Sequence, residues 1–377
     1  MDRRSRLMAT LAGQRVDRPA VCFYEINGLD QDPCDPSPMN VYSDPSWRPV
    51  IELARERTDR IVMRGVAFRE IAPDPLAEIA EERSWTADGS VFTLRTLRIG
   101  DRTLTMQTRR DPDVHTVWTT EHLLKDADDL RLFLQLPEPG PVGEPDPAGV
   151  VEAEAAIGDT GIVMIDTPDP LCLAAGLFSM SDYLVLAMTE TALFRRLLDR
   201  FAADLLPRTE AISKAVPGRL WRIYGPEYAA PPYLPPRLFR EYVCRYVAPM
   251  VQSIQRHGGY ARVHSHGRLR AILPDIAAMG ADGLDPIQPP PQGDVFLSDV
   301  RAAYGGQMVL FGNLEASDLE CLPTAAFAEK VRRAIDEGTA GEGRGFVLMP
   351  SSCPAGRTLS PLVVRNYEAM VEAVEAL

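Results

Sequence analysis

Eight short apolar runs, each followed by a stretch of helical periodicity, constrain this chain more than any other feature. They lie at about residues 19 to 24, 60 to 66, 161 to 166, 219 to 224, 260 to 264, 282 to 286, 307 to 311 and 345 to 350, rich in β-branched residues and bounded by Gly, Pro or Asp. Helical patterns occupy Arg48 to Thr58, Ala148 to Ile157, Thr191 to Ala215, Arg237 to His257, Leu269 to Met279, Val295 to Ala303, Ala325 to Glu337 and Ser360 to Leu377. Eight strands alternating with helices predict a (β/α)8 TIM barrel, and about 250 residues suffice for one, so this chain of 377 residues has room for additions.

The additions have their own pattern. Residues 85 to 119 alternate in polarity, and Ser90 to Leu97 and Thr103 to Thr108 flank Gly100-Asp101 as a β-hairpin, with a further strand near His115 to Trp118. A short acidic helix over Asp126 to Leu136 and the Pro/Gly-rich stretch Pro137 to Pro147 lead back to the barrel. The expected organisation is therefore a single domain over 1–377, with an antiparallel β-hairpin insertion after the second barrel strand forming a β-rich subdomain at about 85–147.

Charge narrows the partners. A formal net charge of −13 argues against nucleic acid and anionic membranes, which attract cationic faces. No stretch approaches the roughly 20 apolar residues of a membrane span. Met1-Asp2-Arg3-Arg4-Ser5-Arg6 leads into an amphipathic helix rather than a signal-peptide core, so a cytoplasmic location is expected. The six cysteines are scattered with no CxxC pair, which is not a disulfide framework.

Barrel enzymes work at the C-terminal ends of their strands, so the polar residues that end each run are the candidates. They are Glu25 after the first run, Asp166 after the third, Tyr224 and Glu227 after the fourth, and His264 and His266 after the fifth. Asp285, Asn313 and Cys353 follow the sixth, seventh and eighth. Val263-His264-Ser265-His266-Gly267 concentrates two of only five histidines on a strand-to-helix turn. Two imidazoles, a thiolate and a carboxylate form a tetrahedral zinc set, and a catalytic zinc keeps one exchangeable position. Each residue also has an ordinary use. One His serves as well as a core hydrogen-bonding group, Asp166 and Asp285 as helix caps, Glu227 as a solvated carboxylate, Asn313 as a turn residue and Cys353 as packing. The loop Tyr228-Ala229-Ala230-Pro231-Pro232-Tyr233 reads either as a rigid turn or as the lining of an apolar substrate pocket.

As a set, several segments resemble the uroporphyrinogen decarboxylase superfamily, and within it the methyltransferase branch of methylcobalamin:coenzyme M methyltransferases and related O-demethylases. They are Leu11 to Val21, the helix Pro236 to Val251 leading into Val263 to Gly267, the turn Phe311-Gly312-Asn313-Leu314, and the loop Pro350 to Cys353 before Asn366. The resemblance implies a His-x-Cys-Gly motif and a later Cys as zinc ligands, which fall on His264, His266 and Cys353. His266 stands where that branch carries Cys, which makes the site more positive by about one charge and the metal a harder Lewis acid. True uroporphyrinogen decarboxylases carry an Arg-Gln-Ala-Gly-Arg stretch after the first strand. This chain has Phe23-Tyr24-Glu25-Ile26-Asn27-Gly28, followed by Asp30 and Asp32, an acidic loop that repels polycarboxylates.

The resemblance thus implies a zinc-dependent methyltransferase acting on a small methylated substrate: a methoxylated aromatic, a methyl thiol or a methylamine. The corrinoid would come on a separate partner protein, since the chain lacks an Asp-x-His-x-x-Gly cobalamin-binding pattern. Zinc on His264, His266 and Cys353 would polarise the substrate heteroatom. Glu227 would be a fourth ligand or proton donor beside Tyr224, and Glu25, Asp166, Tyr233 and Asn313 would bind substrate. Two alternatives stay open: a metal-free decarboxylase or lyase holding a small carboxylate on Arg222, Arg262 and Arg344, and a non-catalytic ligand-binding barrel.

Overall fold

The structure, a computed structural model, describes residues 1–69, 76, 78–138 and 140–377. The eight expected runs form one parallel sheet: Ala20–Val21, Arg60–Arg64, Gly161–Pro168, Leu220–Tyr224, Tyr260–His264, Gly283–Asp285, Val309–Leu314 and Phe346–Pro350. The first strand pairs with the eighth, and each strand then pairs with its predecessor down to the third, which pairs with the second. This is the order of a TIM barrel.

Among the described residues, no ladder joins the first and second strands. One residue bridges them instead, with Asp59 N–H donating to Val21 O at 2.7 Å and Val21 N–H donating to Asp59 Oδ2 at 2.9 Å. The carboxylate is fully buried and is neutralised by Arg6 at 2.6 Å and Arg18 at 3.0 Å. Barrel closure therefore depends on a buried ion cluster tied to the N-terminal helix Arg3–Leu11.

Alternate strand residues face inward. Ala20, Cys22, Ile162, Met164, Leu220, Val309, Phe311, Val347 and Met349 fill the barrel, and Leu7 and Leu11 pack into this cluster from the N-terminal helix. That helix covers the end where the strands begin, as shown by Arg344, just before the eighth strand, donating to Leu11 O at 2.8 Å. The polar mouth is at the other end.

The expected helices are present, and Pro170–Ala175, Met180–Thr189 and Ala316–Cys321 add to them; two of the expected ones depart from their bounds for physical reasons. The run Arg237 to His257 divides into Pro236–Phe239, a π-turn at Arg240–Cys244, and Arg245–Arg256. Pro249 lies in the last segment, and a ring without a backbone donor is accommodated by such a local rearrangement. The helix expected from Leu269 begins only at Leu273, with Pro274 in its first turn, where a missing donor is harmless. The preceding turn is held by Arg270 N–H on Asp294 Oδ1 at 3.0 Å.

The insertion is larger than a hairpin. Strands Ala80–Ala87, Ser90–Ile99, Arg102–Arg110 and Val117–Glu121 form a four-stranded antiparallel sheet in sequence order. It starts before residue 85, and His115 lies outside its last strand. The ribbon of Ala67–Arg69 with Glu144–Asp146 connects the sheet to the barrel. Residue 139, inside the expected subdomain, is outside the described residues. The acidic helix is Ala127–Phe133, capped by Asp126.

This sheet is latched to the loop after the eighth strand. His115 N–H donates to Ala355 O and Arg357 N–H to Asp113 O, at 2.7 and 2.8 Å, and Val114 bridges Gly356. Arg357 Nε also donates to Pro112 O at 2.7 Å. The loop that carries Cys353 is thus fixed from outside the barrel. Among the described residues, no helix is long and apolar enough to cross a membrane.

Replacing Asp59 tests the closure. Asp59→Ala leaves the Val21 N–H without its acceptor, Arg18 without its carboxylate and Arg6 with only the half-exposed Asp17, so a loss of about 3–5 kcal/mol in urea unfolding is expected. A loss below about 1 kcal/mol would show that the barrel closes without this clamp.

Candidate functional site

Strand register decides what fills the mouth. Arg222 on the fourth strand lies opposite Asp166 on one side and Arg262 on the other, and His264 on the fifth lies opposite Asp285 on the sixth. Two inward arginines side by side would repel, but each has its own carboxylate. Arg222 makes a bidentate pair with Asp166 at 2.6 and 3.0 Å, donates to the Tyr24 hydroxyl, and lies over the rings of Tyr24 and Tyr224. Burial works against its charge, and the Asp166 bonds outweigh that and raise its pKa. Arg262 Nε meets Asp285 Oδ1 at 2.9 Å, both groups being fully buried.

Asp285 also fixes the first histidine. Burial opposes its ionisation, yet Arg262 and His264 outweigh burial and hold the carboxyl at about 2. An ionised carboxylate only accepts, so His264 Nδ1 carries the proton that bonds Asp285 Oδ2 at 2.7 Å. In the neutral imidazole, Nε2 then holds the free electron pair. A carboxylate behind a histidine is the usual support of a metal-ligating imidazole.

His266 meets His264 edge to face, with ring centroids 4.6 Å apart, and Tyr24 stacks on His264 at 6.1 Å. Burial, and then the neighbouring His264, lower the His266 pKa to about 4, which leaves this imidazole neutral near pH 7. Cys353 Sγ lies 3.5 Å from Glu25 Oε2, while the Glu25 side chain is 46% exposed and its other oxygen is 3.9 Å from Arg222. Burial, reinforced by Glu25, pushes the Cys353 thiol up.

The remaining candidates are more dispersed. Glu227 turns back on its own loop, accepting from Gly225 N–H at 2.9 Å. Burial pushes Tyr224 up to about 12, so it keeps its hydroxyl proton. Tyr233 is exposed beyond the turn at Pro226–Ala229. Asn313 lines a cleft with Pro289, Phe296 and Arg333. The structure therefore gathers His264, His266, Asp285 and Tyr24 in one place, with Arg222, Asp166 and Tyr224 adjoining, and pairs Cys353 with Glu25.

The imidazole pair has the donor chemistry of a zinc site: one ring oriented by a carboxylate, the other neutral. The thiol of Cys353 is a suitable third donor but rests on Glu25. Among the described residues, no three His, Cys, Asp or Glu side chains are gathered closely enough to hold a metal ion. Binding of a metal by all three expected ligands therefore requires them to draw closer together than they lie here.

Sequence reasoning read Asp285 only as a helix cap or rim carboxylate and missed its pairing with Arg262. The signal was present in the alternation, since Arg262 and His264 are two apart and share a face. It also missed Gln288, Glu315 and Ser351, which form a buried polar group at the rim. Of the three arginines considered as anion holders, Arg222 and Arg262 are occupied by carboxylates. Arg344 is at the opposite end of the barrel, paired with Asp282.

Comparison with known proteins adds the following. Residues 170–377 match the family described as uroporphyrinogen decarboxylase. A methyltransferase from Methanosarcina mazei is 17% identical with a TM-score of 0.61, and the match covers 100% of this chain and 99% of that one. D-psicose 3-epimerase from Clostridium cellulolyticum H10 is 12% identical with a TM-score of 0.35, over 61% of this chain and 83% of that one. No curated protein sequence matches.

A titration tests the state of the imidazole pair. In metal-free protein, the NMR signals of His266 are expected to stay those of a neutral ring down to about pH 4. Its folded value lies below the ordinary 6.5, so the unfolded chain takes up the proton first and stability declines as pH falls through that window. A midpoint near 6.5 would contradict the buried placement.

Proposed function

The chain belongs to the uroporphyrinogen decarboxylase family, and we propose that within it this protein is a zinc-dependent methyltransferase that exchanges a methyl group between a small methylated substrate and a corrinoid on a separate protein. The observation that carries this reading is the imidazole of His264, locked at Nδ1 by Asp285 and set edge to face against a neutral His266. The similarity of the whole fold to a methyltransferase from Methanosarcina mazei supports the same direction.

In this reading His264, His266 and Cys353 hold the zinc, which when bound supplies Lewis acidity to the substrate heteroatom. The protein's own groups do the rest. Asp285 keeps His264 in the tautomer whose Nε2 can donate electrons, and Arg262 keeps Asp285 ionised. Tyr224 retains its hydroxyl proton and orients the substrate by hydrogen bonding. Glu227, a short distance along the same loop, remains the proposed fourth ligand or proton donor, a role that requires it to turn away from the Gly225 N–H it accepts. Glu25, Asp166, Tyr233 and Asn313 remain the proposed substrate-side residues.

Electrostatics favour this reading over a decarboxylase. A small carboxylate needs a free cation, and both mouth arginines are already paired with carboxylates. Glu25 adds a half-exposed negative charge at the entrance. Uncharged or cationic methylated compounds suit that field better than anions do.

The test is methyl transfer to a reduced corrinoid protein, followed by its absorbance, with zinc-loaded enzyme and a panel of methoxylated aromatics, methyl thiols, methylamines and small carboxylates. Turnover is expected with a neutral or cationic class, and His264→Ala should lower it roughly 100-fold or more, the scale of losing a Lewis acid worth several kcal/mol. Full activity in His264→Ala, or decarboxylation of a small acid by metal-free enzyme, would overturn the proposal.

A further inference from the structure

Four successive loops at the barrel mouth each send one polar group into a continuous buried chain. After the fifth strand, Gly267 N–H donates to Gln288 Oε1 at 2.8 Å. After the sixth, Gln288 Nε2 donates to Glu315 Oε2 at 3.3 Å. After the eighth, Ser351 Oγ donates to the same Glu315 oxygen at 3.4 Å and accepts from Ala316 N–H at 3.1 Å. Ser351 N–H also donates to Leu314 O at 2.7 Å. Gln288, Glu315 and Ser351 are all buried.

The ends of this chain matter. Gly267 follows His266 directly, and Ser351 is two residues from Cys353. The fold makes room for the link at Gly312, whose φ is +146° and where a Cβ would lie 2.2 Å from Pro286 O. Only glycine lets the seventh strand approach the Gln288 loop so closely. Buried acids are costly unless they do something specific. Glu315 touches none of the expected ligands, and its Oε1 has no hydrogen-bond partner. Burial raises its pKa, as expected of a carboxyl kept for its hydrogen bonds rather than its charge.

We infer that Glu315 is a positioning residue: it ties the loop carrying His266 to the loop carrying Cys353 and so fixes their spacing across the mouth. The inference rests on the reading of this rim as the reaction site, but its mechanical part does not depend on zinc. A single side chain accepting from both arms predicts that the arms loosen together when it is removed. Cutting the chain at Gln288 frees only the fifth-strand arm.

Hydrogen exchange read by mass spectrometry on the full chain tests this, comparing wild type with Glu315→Ala, Glu315→Gln and Gln288→Ala. Glu315→Ala is expected to speed exchange about tenfold in both 265–268 and 351–353 while leaving the latched 355–357 and Thr191–Ala215 unchanged. Glu315→Gln should restore wild-type exchange, because its amide oxygen accepts the same two bonds. Gln288→Ala should loosen 265–268 alone. Acceleration confined to 315–322, or a Glu315→Gln as loose as Glu315→Ala, would overturn the inference. If Glu315→Ala fails to fold, the Gln288→Ala and Glu315→Gln patterns decide it by the same criteria.

Zinc content of the same samples separates the two claims. A wild type that binds zinc should lose about tenfold in affinity in Glu315→Ala, measured by chelator competition. Zinc binding unchanged in that variant would overturn a role in spacing the ligands. The expected exchange pattern in a wild type that binds no zinc would leave the brace standing and remove the metal reading.

Discussion

Asp285 is the constraint on which the mouth depends. Its carboxylate is fully buried and would be expensive there without partners, so it demands both Arg262 on one oxygen and His264 on the other. That demand sets the tautomer of His264 and the plane of its ring. It also removes Arg262 from any role in holding substrate. Ser265 N–H donates to the Asp285 carbonyl at 2.9 Å, so the backbone after His264 is anchored to the same residue. A strand of only three residues, Gly283–Asp285, thus organises the mouth of the barrel.

The second organising fact is that positive charge in the mouth is already matched. Arg222 serves Asp166 and Tyr24 just as Arg262 serves Asp285. These pairs stiffen the interior between the third and sixth strands and leave Glu25 as the half-exposed charge nearest Cys353. Both ends of the barrel therefore rely on buried ion clusters, with Asp59 closing the seam between first and second strands and Asp285 shaping the mouth. The latch from the antiparallel insertion to residues 355–357 holds the Cys353 loop from outside.

Much of the fold was legible because parallel barrel strands are short, apolar on both faces and followed by amphipathic helices. All eight runs are strands, and Ala148–Ile157 and Thr191–Ala215 are helices at the expected bounds. What escaped was set by tertiary context. The π-turn before Pro249 breaks a helix that periodicity read as continuous. The strand Ala80–Ala87 is largely exposed, so its sequence carries little apolar alternation. At the site, the residues that end strands were visible as a list, and the family resemblance is confirmed by the match over residues 170–377. The partnerships were not visible. That Asp166 belongs to Arg222, Asp285 to Arg262 and His264, and Glu315 to Gln288 and Ser351 follows from strand register and loop packing between segments 20 to 60 residues apart.

The central claim is that this mouth becomes a zinc centre of two imidazoles and one thiolate. X-ray absorption at the zinc edge on the purified, zinc-loaded protein reads the donor set directly. The account predicts two nitrogen scatterers at about 2.0–2.1 Å and one sulfur at about 2.3 Å, with the remaining position taken by a light atom. A first shell of nitrogen and oxygen without sulfur would contradict it, since Cys353 would then not be a ligand.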